Sequence, residues 1–266
     1  MAPLRLAGGA TGCLAVETKV DSAWSPGQLE ATTPEDAHGV LLAVGYTALM
    51  VTPSDVARLD AYAQPWSLVG PREWAAIVRA AAGQDEAFTS YAKRLDVEAA
   101  EHERARECVR LGRPVDFGRH GEALEHWAYF TEVAAHAGKE RRWERKTLIS
   151  GPLQTLWLKE WPDESGAYLE LMGQGRGRTL CAKVWGSHSA LAGRQRVIAE
   201  GLAGLDGTAG KRSSARAKTC TARRWSLERR TPAEAAELVE RLAHTIERAH
   251  PQDAAWPDSV QVSTGE

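Results

Sequence analysis

The chain has 266 residues, 43% hydrophobic and 26% charged, with 33 Lys and Arg against 35 Asp and Glu. A net charge of −2 excludes a protein that holds nucleic acid or an anionic surface by bulk charge, so any such contact has to come from a local patch. The length suits one large domain or two small ones. Cys13, Cys108, Cys181 and Cys220 form no close pair, which argues against a zinc site or a disulfide scaffold and fits a reducing cytoplasm. The longest apolar run, residues 40–51, is too short to span a membrane, and no signal-peptide pattern is read, so a cytoplasmic location without a membrane partner is expected.

In chain order, residues 3–6 and 13–20 read as a β-hairpin joined by a loop at 7–12. Residues 13–20, CLAVETKV, are β-branched and aliphatic, and alternation divides them into two faces. Leu14, Val16, Thr18 and Val20 make one face, expected to be core. Cys13, Ala15, Glu17 and Lys19 make the other, so a carboxylate and an ammonium stand side by side near the strand end. Ser25-Pro26-Gly27 turns the chain and Gln28-Leu29-Glu30 opens a short helix. The apolar run 39–52 reads as a helix end followed by a strand near 46–51, and residues 66–69 as a short strand. Residues 72–82 read as a helix opened by Pro71, with Trp74, Ile77, Val78 and Ala81 on its apolar stripe.

Residues 85–111 form a long helix with Phe88, Tyr91, Leu95 and Ala99 on one stripe and a charged, solvated second half. A linker at 112–118 precedes a helix at 122–137 carrying Leu124, Trp127, Tyr129 and Phe130. From Lys146 the pattern turns to strands, at 153–161, 168–172 and 179–185. In 153–161, Leu156 and Leu158 face one way, Trp157 and Lys159 the other. The run GQGRGR at 173–178 lacks the Lys-Ser/Thr end of a phosphate-binding loop and precedes a strand, so it reads as a hairpin turn with Arg176 and Arg178 within reach of a phosphate. After a helix at 189–205 comes a basic stretch: Lys211, Arg212, Arg216, Lys218, Arg223, Arg224, Arg229 and Arg230, set against Glu228. It is either a solvated loop or a phosphate-backbone contact, with Trp225 as a stacking surface. Thr231 and Glu234 make a capping box for a last helix to about 249, and 251–266 read as a polar, disordered tail. None of the eight histidines forms an HExxH pair.

Glu17, one residue, Lys19, then Gln28 opening the next helix is similar to the pattern of the PD-(D/E)XK nuclease superfamily. Glu144-Arg145-Lys146 repeats the spacing, with Gln154 after it, but in a polar run that reads as a solvated basic face. The resemblance implies an α/β (α+β) fold: a restriction-endonuclease-like mixed sheet core over residues 1–83, a helical and α+β extension over 84–250, and the tail at 251–266. It implies a Mg²⁺- or Mn²⁺-dependent nuclease hydrolysing phosphodiester bonds, with Glu17 as metal ligand, Lys19 orienting the attacking water and Gln28 lining the cleft. Nucleic acid, DNA before RNA, is the implied partner, and a homodimer a further candidate. The family's upstream aspartate falls near Leu4, and no acid precedes Glu17. Either the sequence begins after that part of the core, or this is a member that has lost metal binding and binds nucleic acid or a protein without catalysis.

Overall fold

The structure is a computed structural model that describes residues 2–5, 11–20, 29, 37–52, 56–57, 59, 66–83, 85–113, 121–138, 141, 143–148, 151–162, 164–175, 177–210 and 218–249. The expected helix at Gln28, the linker beyond Arg113 and the tail at 251–266 lie wholly or largely outside them. It is a mixed α+β fold with two sheets.

The first sheet has the order β1-β2-β3-β4. Strand β1 (Ala2–Arg5) runs antiparallel to β2 (Thr11–Val20), with Ala2 opposite Leu14 and Leu4 opposite Gly12. Strand β3 (Ala37–Val44) runs parallel to β2, with Glu17 beside Leu41 and Lys19 beside Ala43, and β4 (Trp66–Val69) runs parallel to β3. Helix α1 (Tyr46–Met50) follows β3 directly.

The expected order of helix then strand across 39–52 is therefore reversed. Leu41, Leu42, Ala43 and Val44 are all buried, because a central parallel strand is covered on both faces and shows no alternation to read. Gly45, at φ +58, ends the strand in a conformation that other residues adopt only at a cost.

The assignment of the β2 faces also inverts. Val16 and Val20 are 54% and 55% exposed, whereas Ala15 is buried. The register puts Ala15, Glu17 and Lys19 in one row with Gly39, Leu41 and Ala43, over which Leu29, Leu59 and Trp66 pack. On the opposite face helices α2 (Pro71–Ala82) and α3 (Glu86–Arg110) cover Leu42 and Val44 of β3 but leave the outer residues of β2 open. Alternation says which residues share a face; which face is covered is a tertiary matter.

Helix α2 buries Ala75, Val78 and Ala82, one residue round from the expected stripe, and leaves Ile77 exposed. Asp85 caps α3 by accepting from the Ala87 and Phe88 N–H groups at 2.8 and 3.2 Å. Phe88 and Tyr91 are exposed, and the buried stripe instead runs Ala92, Leu95, Ala99, His102, Ala105, Val109. Ala92 and Leu95 join the cluster beneath the first sheet, so that core continues past residue 83.

The second sheet is antiparallel. It comprises β5 (Trp143–Leu148), β6 (Gly151–Trp161), β7 (Ser165–Gln174), β8 (Gly177–Trp185), β9 (Thr208–Ala209) and β10 (Thr219–Ser226), in the order β5-β6-β7-β8-β10-β9. Residues 144–146, expected in a solvated polar run, pair with β6 as part of β5. The GQGRGR turn is the tight link of a hairpin, with Gln174 opposite Gly177 and Gly175 at φ +53.

Helices α4 (Gly121–His136), α5 (His188–Gly201) and α6 (Pro232–Arg248) share one core with this sheet. Trp127, Phe130, Leu191 and Leu242 meet Leu156, Leu169, Leu180 and Val184 there, all buried. Thr231 caps α6 through the capping box with Glu234, as its sequence requires. At the other end of α6, Lys159 Nζ donates to the Glu247 and Ala249 carbonyls at 2.8 and 2.7 Å. Arg141 bridges Glu240, at 3.0 Å, and Glu247.

Candidate functional site

Glu17 and Lys19 alternate onto the same face of β2 and close on each other, Lys19 Nζ to Glu17 Oε1 at 2.7 Å. Their side chains are 24% and 11% exposed, so neither charge is fully solvated. Leu29, next to Gln28, is fully buried on this side with Leu41, the residue beside Glu17; Gln28 itself lies outside the described residues.

Leu4 does not stand beside the pair. It faces Gly12, five positions along β2 from Glu17, or about 17 Å at 3.3–3.4 Å per residue. The described β1 ladder ends at Ala2–Leu14, short of Glu17.

Mg²⁺ or Mn²⁺ takes oxygen ligands, and Glu17 is the one carboxylate on the described residues of β1 to β4, already closed on an ammonium. Among the described residues no three His, Cys, Asp or Glu side chains gather as a metal cluster.

The basic candidates separate. Arg178 sits in the β8 ladder behind the hairpin tip, ion-paired with Glu125 and stacked over the Tyr129 ring at 4.3 Å. Arg223 turns to the helix side and donates to the Ala199 carbonyl at 3.4 Å and to the Gly207 carbonyl. Trp225, expected as a stacking surface, is buried in the core with Gly207 packed against its indole. Lys218 and Arg224 are exposed. Arg176, Lys211, Arg212 and Arg216 lie outside the described residues.

The structure adds an aromatic cluster to this basic region. Trp157, Tyr168 and Trp185 fall on the sheet face opposite α4 to α6. Trp157 lies 4.8 Å from the Tyr168 ring and 6.3 Å, edge-on, from Trp185. Trp185 is seated on Gly166, where a Cβ would come within 2.3 Å of its Nε1. Trp157 is 42% exposed. Arg224 points to the same face, because it pairs with Cys181 and Cys181 pairs with Glu170. The alternation of residues 153–161 already set Trp157 apart from Leu156; its two aromatic neighbours come from strands far along the chain, so no local pattern names them.

His102 and Arg106, on α3, were not singled out in the sequence, although their four-residue spacing places them on one helix face. His102 is buried, and burial first, then the nearby Arg106 charge, lowers its pKa from 6.5 to about 4. The native state holds this ring neutral while the unfolded chain takes up a proton below pH 6.5. Stability is therefore complete above pH 6.5 and falls as the pH drops towards 4, by about 3 kcal/mol in all. Urea unfolding between pH 4.5 and 7.5 checks this: His102→Gln is expected to flatten that part of the profile, and an unchanged slope contradicts it.

No family model, curated protein or solved structure matches the chain. The fold and site thus define a mixed α+β protein of two sheets, and among its described residues no helix is long and apolar enough to cross a membrane.

Proposed function

We propose that the chain is a nuclease-fold-like protein that binds nucleic acid without hydrolysing it, gripping the strand on the second sheet. The observation that carries this reading is the partly exposed Trp157, backed by Tyr168 and Trp185, on the face that also presents Arg224. Bases stack on an exposed aromatic while a cation meets the phosphate. Lys218, exposed, directly precedes β10 and adds positive charge to this region.

The first sheet supports the nuclease-like part of the reading. Its Glu-x-Lys strand lies between an antiparallel and a parallel neighbour, a mixed sheet as the resemblance implies. The closed Glu17–Lys19 pair supports a silent site. DNA is the partner we assign.

Fluorescence anisotropy with a labelled single-stranded DNA 20-mer tests binding. Affinity should fall with salt, Trp157→Ala should cost about 1–3 kcal/mol, and Arg224→Ala should make the log–log salt slope shallower by about 0.7. Binding indifferent to both substitutions and to salt removes the nucleic-acid reading. Plasmid nicking with Mg²⁺ or Mn²⁺ tests silence: cleavage abolished by both Glu17→Ala and Lys19→Ala would restore a hydrolase, whereas none above background supports the binding reading.

A further inference from the structure

A cavity of about 790 Å³ opens where the parallel strands β3 and β4 end, between α1, the start of α2, α3 and α4. Ala43, the β3 residue beside Lys19, and Leu68 of β4 form part of its wall. Crevices beyond the carboxyl ends of parallel strands are where open sheets of this kind take ligands. The volume lies in the small-molecule range.

Three arginines line the cavity, and two of them are committed. Arg72 pairs with Glu103 at 2.7 Å and Arg110 with Glu132 at 2.8 Å. Arg106 differs. Among the described residues its one hydrogen bond goes to the Ala48 carbonyl, at 2.9 Å, and no carboxylate is within 4 Å of it. Yet it is partly buried, and burial is the first cause lowering its pKa, with Glu132 acting in the opposite sense. One turn earlier, buried His102 also lines the cavity and makes no hydrogen bond among the described residues.

Glu132 and Glu103 act on Arg106 only through space, so this partly buried cation keeps donors to spare that an anionic ligand would satisfy. The guanidinium fork suits an oxyanion, and the imidazole one turn away supplies a further donor for a third oxygen, which a phosphate has and a carboxylate lacks. Ala43, Val51, Leu68 and Ala99 give the wall an apolar part, while Glu73, Glu103 and Glu132 balance the charge of the three arginines. We propose that this cavity binds a small organic phosphate monoester, its phosphate held by Arg106 and His102 and its apolar body against the strand ends. This site is separate from the aromatic face and does not depend on nucleic-acid binding.

Calorimetric titration of the full chain with phenyl phosphate, inorganic phosphate, benzoate and phenol at pH 7 tests the proposal. Phenyl phosphate should bind one per chain, at least tenfold more tightly than inorganic phosphate or benzoate, and phenol should not bind. Arg106→Gln should weaken phenyl phosphate at least tenfold, whereas Arg94→Gln, an exposed arginine of α3 outside the cavity, should leave it unchanged. If Arg106→Gln does not fold, His102→Asn decides, with at least a threefold loss expected. No saturable binding by the wild type, benzoate binding as tightly as phenyl phosphate, or equal losses in the Arg94 and Arg106 variants would overturn it.

Discussion

Gly39→Ala is expected to destabilise the protein by about 3 kcal/mol, the upper end of the range for overpacking a closed core. A Cβ at this position would lie 2.2 Å from Cδ2 and 2.4 Å from Cε2 of Trp66. The obstacle is the body of an indole ring, which cannot swing aside as the end of a lysine could. Trp66 is itself buried against Leu29, Leu41 and Leu59. The ring has to lift, and it lifts off the face that carries Glu17 and Lys19, since Gly39 stands beside Ala15 in the β2–β3 ladder. Urea unfolding of Gly39→Ala, Trp66→Leu and the double variant checks the cause. If the ring is the obstacle, the two losses will not add, and the double variant will be close to Trp66→Leu alone. A neutral Gly39→Ala would show that Trp66 does not rest on that backbone.

Lys183→Met should cost about 3–5 kcal/mol, more than the same change at an exposed lysine such as Lys93. Lys183 pairs with Glu170 across β7 and β8, and the Glu170 side chain is only 7% exposed. Removing the ammonium leaves that carboxylate beside Tyr168 and Cys181, its buried neighbours in the β7–β8 ladder. The energy at issue is the desolvation of an uncompensated charge, so it should be recovered when the charge goes too. The double variant Glu170→Gln, Lys183→Met is expected to regain most of the loss in thermal or urea unfolding. A double variant no more stable than Lys183→Met would mean that lysine packing, not charge, sets the cost.

The committed arginines illustrate how little a charge count says about a binding face. The hairpin arginines and the basic stretch were both candidates for phosphate contact, yet Arg178 is held by Glu125 and Tyr129 and Arg223 by two backbone carbonyls, while Arg224, its neighbour, faces out. Neighbours on a strand point to opposite faces, so a run of cations divides between the core side and the open side. The same rule turned Trp225 inward.

What was legible from the residues alone is what depends on a few positions close in the chain. Asp85 and the Thr231–Glu234 box mark helix starts because their side chains meet N–H groups two or three residues on. Glycines at 173, 175 and 177 mark a hairpin, and the two-residue period places Glu17 and Lys19 together. Tertiary structure decided everything that needs a second element. Helices α2 and α3 lie on the valine face of β2 but reach only over β3, which left Val16 and Val20 open, and coverage of β3 on both faces erased the alternation that would have marked it as a strand. The aromatic cluster on the second sheet and the cavity around Arg106 join segments tens of residues apart, and such meetings follow from which surfaces bury each other, a quantity no single stretch of chain contains.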